Sequence, residues 1–228
     1  AFQIMNSWGN EWGKEGIGWI LYKDFKRFVR EAYGLNPMPK QGAGIAQNLE
    51  INIGLVDAKT KQYIPLQTSG GNTFKTINPI AKKTGFKIEF KNNTECYVYV
   101  IGKETDGSSY VLFPYPSKAD ANKTMFSPYC GITGYRLFPR GKKLEADEIG
   151  NQDFFAIITS KEPLDVFKLN TTINQNRASG FENAINVAIK RQSANGIQFN
   201  NSNDGTIGFK TSNGDKNAVG CVIAIDKN

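Results

Sequence analysis

The strongest nucleophiles in this chain are three thiols, Cys96, Cys130 and Cys221, and its 228 residues include no histidine. A lone cysteine is only a few per cent thiolate at pH 7, roughly speaking. Losing the general base forfeits about 10²–10⁴-fold in rate. The chain by itself is therefore not expected to hydrolyse amide bonds. The cysteine spacings match no zinc pattern, and histidine ligands are excluded outright. Glu145, Asp147, Glu148 and Asp153 form the densest run of carboxylates. A calcium ion wants about six to eight oxygens from a defined loop grammar, which is missing here, so the run reads as a solvated acidic loop. Asn200 to Gly205 echoes a calcium loop but lacks its leading aspartate and closing glutamate. Gly134 and Gly141-Lys142-Lys143 mimic a phosphate loop, yet six residues separate the glycines and no Ser or Thr follows the lysine. Sequons open at Asn92, Asn122, Asn170 and Asn200, as chance allows in an Asn-rich chain. No metal site and no cofactor are expected. What remains is binding chemistry. Tyr110, Tyr115, Tyr129 and Tyr135 could form an aromatic ledge for peptide or glycan, tyrosine being half apolar with a polar tip. Core packing is the plain reading of the Leu112-Phe113-Pro114 segment among them.

The elements that must position these residues are mostly strands. Phe2 to Met5 and Gly16 to Tyr22 read as a short strand and its return. Asp24 is placed to cap a helix in which Phe25, Phe28, Val29, Ala32 and Tyr33 share a face, with Gly34 ending it. Residues 36–45, rich in Pro and Gly, read as a linker. Beyond it the period changes to two. Leu49, Ile51, Ile53 and Leu55 alternate with polar residues or glycine; Asp57 to Lys61 turns and Gln62 to Gln67 returns. Phe86, Ile88 and Phe90 alternate, and Asn92-Asn93 turns. Tyr97 to Ile101 and Tyr110 to Phe113 suit a hairpin around Asp106-Gly107. Tyr135 to Phe138, Phe154 to Thr159 and Thr206 to Thr211 are further strands. Asn213-Gly214 signals a hairpin leading to a last strand in which Val219, Cys221, Ile223 and Ile225 point one way. Ser179-Gly180-Phe181-Glu182 has the form of a capping box for one helix, with Phe181, Ile185, Ala188 and Ile189 on its apolar face. Asn-rich loops are expected elsewhere between 161 and 205. This pattern predicts a mainly β chain: an antiparallel β-sandwich with one or two helices over residues 46–228, preceded by a hairpin and helix over 1–35.

Composition sets bounds. Net charge is +7, from 28 basic and 21 acidic residues, but no five like charges run together. Nucleic-acid binding clusters its cations on one face, so a solvated surface is the better reading and no nucleic-acid partner is expected. No apolar run approaches the roughly 18 residues of a membrane span. Cys221 lies in an apolar alternation and reads as a buried thiol. A Cys96–Cys130 disulfide is left open.

The run Asn6-Ser7-Trp8-Gly9-Asn10-Glu11-Trp12-Gly13, continuing through Gly16, Gly18 and Trp19, resembles the last catalytic segment of papain-like cysteine proteases. The resemblance covers about the first 35 residues. It implies that Asn6 is the asparagine that orients a catalytic histidine, and Trp8 the tryptophan that shields that bond. The nucleophile of that family lies roughly 130–150 residues before the asparagine. Here five residues precede Asn6, and every cysteine follows it. The expectation is the end of a bacterial papain-like protease domain joined to a second domain.

A second resemblance spans about Gly85 to Asp165. Phe86-Lys-Ile-Glu-Phe90, Tyr97-Val-Tyr-Val-Ile101, Leu112-Phe113-Pro114, Arg136-Leu-Phe-Pro139, the acidic stretch to Gly150, and Phe154 to Ser160 followed by Pro163-Leu164 are similar to the bacterial domain-of-unknown-function family number 4384. This similarity implies an accessory module and no reaction. Together the two resemblances imply a non-catalytic C-terminal module of a secreted, periplasmic or cell-surface bacterial protease. Its partners would be the upstream protease segment and a peptide, glycan or cell-envelope ligand. The alternatives are part of an active cysteine peptidase once upstream Cys and His residues are present, or a surface adhesion or assembly module.

Overall fold

The computed structural model describes residues 1–5, 11–29, 48–120, 122–131, 136–194, 197–211 and 218–228. The chain divides into two compact units, Ala1–Gly44 and Ile45–Asn228.

In the first unit, β1 (Phe2–Met5) and β2 (Ile17–Ile20) pair antiparallel, with Phe2 opposite Ile20 and Met5 opposite Ile17. Glycine spacing has a steric cause here. A Cβ on Gly13, at φ +64°, would lie 2.3 Å from the Ile17 carbonyl oxygen, and one on Gly18 would lie 2.5 Å from the Trp12 indole. Helix α1 (Tyr22–Phe28) follows, and Phe2 packs against Tyr22 and Phe25 with ring centroids 4.7 and 4.5 Å away. Asp24 does not cap it. The N-cap is Leu21, and Asp24 sits in the first turn, where its charge favours the positive end of the helix. The helix is also shorter than its apolar period suggests, since Val29 is already extended. Ala32, Tyr33, Gly34 and the linker 36–45 lie outside the described residues.

The second unit is mainly β. Its strands are β3 (Glu50–Asp57), β4 (Tyr63–Ile64), β5 (Leu66–Gly70), β6 (Thr73–Thr76), β7 (Gly85–Asn92), β8 (Cys96–Lys103), β9 (Ser109–Phe113), β10 (Tyr129–Cys130), β11 (Arg136–Phe138), β12 (Leu144–Glu145) and β13 (Gln152–Ser160). Helices α2 (Val166–Gln175) and α3 (Phe181–Ile189) come next, then β14 (Gln198–Asn201), β15 (Ile207–Lys210) and β16 (Ala218–Asp226). One sheet runs β10-β8-β13-β16-β6-β5, with β9 also on β8. The other runs β11-β7-β3-β15-β14, with β12 on β7 and β4 on β3.

Alternation builds the core between the sheets. Ile51, Ile53, Leu55, Ile88 and Phe90 from one sheet meet Val98, Val100, Phe155, Ile157, Cys221, Ile223 and Ile225 from the other. Strands β8, β13 and β16 depart from strict alternation for a reason. Their outer faces, through Tyr99, Ile101, Ala156, Ile158 and Val222, are buried in a second core against Leu169, Ile173, Ile185 and Ile189 of the helix pair. A strand covered on both faces reads as a nearly continuous apolar run. The unit is thus a sandwich with a helical layer over one sheet. Gly220 of β16 lets α3 approach, since a Cβ there would lie 2.8 Å from an Ile185 methyl.

Four features differ from expectation. Helix α2 occupies a stretch expected to be loop. Asp165 caps it by accepting from the backbone N–H groups of Phe167 and Lys168, both at 3.0 Å, and Val166, Leu169 and Ile173 face inward. The capping box at 179–182 does not form. Gly180 is the N-cap of α3 with no side-chain cap, and Glu182 instead accepts from the Asn72 N–H at 3.0 Å and the Thr73 hydroxyl at 2.6 Å. Strand β6, unread in the sequence, pairs parallel with β16. Finally, β15 and β16 belong to different sheets and form no hairpin; Asn213-Gly214 lies outside the described residues.

Candidate functional site

The two Leu-Phe-Pro segments meet near one end of the sandwich. Phe113 ends β9 and Phe138 ends β11, and their rings contact at 5.1 Å in a T-shaped arrangement; both Phe–Pro bonds are cis. Toward the same end, the C-terminal ends of β8 and β16, the N-terminal ends of β13 and β7, and β12 leave an open cleft of about 660 Å³. Phe86, Tyr110, Leu112, Phe154 and Phe155 line it. Lys103 lies over the Phe154 ring, 4.4 Å from its centroid, so the cation keeps that face of the aromatic covered. Tyr110 crosses Gly102: a Cβ on that glycine would lie 2.4 Å from the tyrosine ring.

At the back of the cleft sits Lys227, whose side chain is 0% exposed. Its ammonium donates to Asp147 Oδ1, to Asp153 Oδ1 and, at 2.8 Å, to the Ile149 carbonyl. An ammonium cannot be buried without such partners. The Lys227 hydrogen bond holds the Asp147 carboxyl below the usual carboxylate range. Burial pushes Asp153 up, against the pull of the same lysine. Burial would lower Lys227, but its bonds to the two aspartates outweigh this and raise it. The carboxylates read as an acidic loop thus surround an amino group of the chain itself. Glu145 lines the cleft without joining that cluster, and Glu148 pairs with Lys83 at 3.0 Å. Among the described residues no group of three or more His, Cys, Asp or Glu side chains is placed to hold a metal ion.

The cleft carries five carboxylates, Glu104, Glu145, Asp147, Asp153 and Asp226, against two ammonium groups, Lys103 and Lys227. Its net charge opposes that of the chain. Tyr110 feels this: burial, and then the negative charges of Glu104, Asp153 and Asp147, raise its phenol above the ordinary range.

The four tyrosines do not form one ledge. Tyr110 is opposite Gly102 in the cleft, whereas Tyr129 is opposite Tyr97 at the other end of β8, with the two rings 5.7 Å apart. Five residues of strand separate these positions, about 16 Å at strand rise. Tyr115 is exposed on the segment after β9, beside Met125, whose N–H it accepts at 2.7 Å. Tyr135, like Asn6 and Trp8, lies outside the described residues. The sequence reading missed Lys103, Phe154 and Lys227 as site residues. A lysine directly after a nine-residue strand whose other residues up to Asp226 are apolar or glycine was the available signal for the last.

All three thiols lie in the core between the sheets. Burial pushes Cys221 up to about 12. A second polar cluster, on the outer face of the β7 sheet, is internally satisfied: the Tyr63 hydroxyl donates to Glu89 at 2.5 Å, and Lys91 donates to both at 3.0 Å.

No family model matches the chain, and no curated protein or solved structure matches it. Fold and site define a mainly β unit with an aromatic, carboxylate-rimmed cleft. Among the described residues no helix is long and apolar enough to cross a membrane.

Proposed function

We propose that residues 46–228 are a non-catalytic binding module of a bacterial papain-like cysteine protease, acting outside the cytoplasm or at the cell surface, and that its ligand is a peptide with cationic side chains. In this reading the chain carries the protease's final catalytic segment. Asn6 would orient the histidine and Trp8 would shield that bond when an upstream segment supplies the cysteine and histidine. The Asn-Ser-Trp-Gly run and its glycine spacing support the family reading.

The observation that carries the binding role is the cleft. Its volume of about 660 Å³ suits a few side chains of an extended ligand. Aromatic walls accept aliphatic stems, and the carboxylate rim favours ammonium or guanidinium groups. The thiols, by contrast, belong to the core between the sheets and do not line the cleft.

Calorimetry of the full chain against equal-length cationic, neutral and acidic peptides, and against soluble glycans, tests this. The cationic peptide alone should bind, and Tyr110→Ala should weaken binding at least about tenfold, as loss of an aromatic anchor does. Glycan binding without peptide binding would overturn the ligand class. Iodoacetamide-sensitive peptide hydrolysis by the chain alone would overturn the non-catalytic role.

A further inference from the structure

Cys96 and Cys130 stand directly opposite each other on the neighbouring antiparallel strands β8 and β10. Residues so opposed have Cα atoms about 4.5–5.5 Å apart. That falls inside the roughly 4.4–6.8 Å that a disulfide spans. Both are free thiols, 1% and 4% exposed. Cys130 Sγ also lies 3.5 Å from Asn92 Oδ1. The Asn92 amide in turn donates to the carbonyls of Thr94, Cys130 and Gly131, holding the pair's backbone in place.

The two sulfurs differ in position: Cys130 lies on β10, the two-residue strand at the edge of the sheet, whereas Cys96 lies on β8, flanked by β10 and β13. Cys221 is no competitor. It lies opposite Ile157, which lies opposite Val100. It is thus two strands and four residues from Cys96, about 16 Å by strand geometry.

We propose that Cys96 and Cys130 form a redox modification site, which a low-molecular-weight disulfide converts to a cross-strand bridge, with Cys130 as the attacking sulfur. The Cys130 thiolate attacks one sulfur of the small disulfide and expels a small thiolate, leaving a mixed disulfide on Cys130. Cys96 then attacks the Cys130 sulfur, its proton passing to the second small thiolate as that leaves. Two protein thiols are oxidised by two electrons, and one small disulfide is reduced to two thiols. Access comes at the sheet edge, because β10 is only two residues long and has a neighbouring strand on one side alone. The bridge ties down the 96–130 excursion, which displays Tyr115, Met125 and Phe126 to solvent.

The test equilibrates the full chain with oxidised and reduced glutathione, then applies alkylation, mass spectrometry and peptide mapping. Wild type and Cys221→Ser should each lose two alkylatable thiols, with a Cys96–Cys130 cross-linked peptide. The oxidised form should unfold roughly 10 °C higher than the reduced one. Cys96→Ser should trap a glutathione adduct on Cys130, faster than Cys130→Ser traps one on Cys96. Thiols that stay reduced, a bridge to Cys221, a bridge between chains, or faster capture at Cys96 would overturn the assignment. Mapping of the wild type decides the bridge even where a variant fails to fold.

Discussion

Replacing Lys227 by Met removes a buried ammonium and keeps a stem of similar shape. Its side chain is fully enclosed, so the packing survives and the loss is electrostatic. Three acceptors lose their donor: Asp147, Asp153 and the Ile149 carbonyl. A hydrogen bond to a charged group contributes about 1.5–3 kcal/mol. Asp147 is half exposed and water replaces much of its share. Asp153 and the carbonyl leave a net cost of about 3 kcal/mol. For a unit of this size that lowers the melting midpoint by about 6–12 °C.

The pH dependence gives a second and sharper readout. Asp147 is depressed in the folded state, so it stabilises above the unfolded carboxylate range and that contribution is lost as pH falls through its folded value. Asp153 is raised, so its effect has the opposite sign and favours the folded state as pH falls. Between pH 7 and about 4.5 the wild type keeps the Asp147 contribution, whose loss lies below the unfolded carboxylate range, and changes only by what Asp153 gains on protonation. In Lys227→Met the carboxylates keep only the backbone N–H groups of Ile149 and Asp147 and lose the ammonium between them, so protonation relieves the fold more than in wild type and the variant gains more stability over that window. Urea titrations at both pH values measure this. A variant as stable as wild type at pH 7, or one that loses stability on acidification, would refute the reasoning.

Glu182→Ala should cost about 2 kcal/mol by releasing the β5–β6 turn, whereas Ser179→Ala should stay within about 0.5 kcal/mol; chemical denaturation separates the two. The order would reverse if 179–182 worked as a capping box. Asp165→Ala should cost about 1 kcal/mol, and hydrogen exchange should show faster opening of the Phe167 and Lys168 amides specifically.

Much of the fold was legible because its signals are local. Leu49 to Leu55 and Phe86 to Phe90 alternate, since one face packs in the core and the other carries polar side chains or glycine. Asp106-Gly107 gave its hairpin because Gly107, at φ +83°, and the Asp106 carboxylate accepting from Ser108 act within four residues. Helix α2 was missed because its asparagines and threonines, poor helix formers, masked a capped apolar stripe. Tertiary burial of Val166, Leu169 and Ile173 overrides that propensity. Glu182 satisfied the letter of a capping box, but a partner 110 residues away in sequence, Asn72, took its carboxylate.

The amino-acid order alone determined the absence of an imidazole and the strand periods. These follow from residue type and from contacts along one segment. Only the tertiary structure decided that β15 and β16 enter different sheets, that Asp147 and Asp153 enclose Lys227, and that Cys96 faces Cys130 while Cys221 stands apart. Each depends on which strands become neighbours, and register between segments far apart in sequence is fixed by packing of both faces at once, which no local pattern encodes.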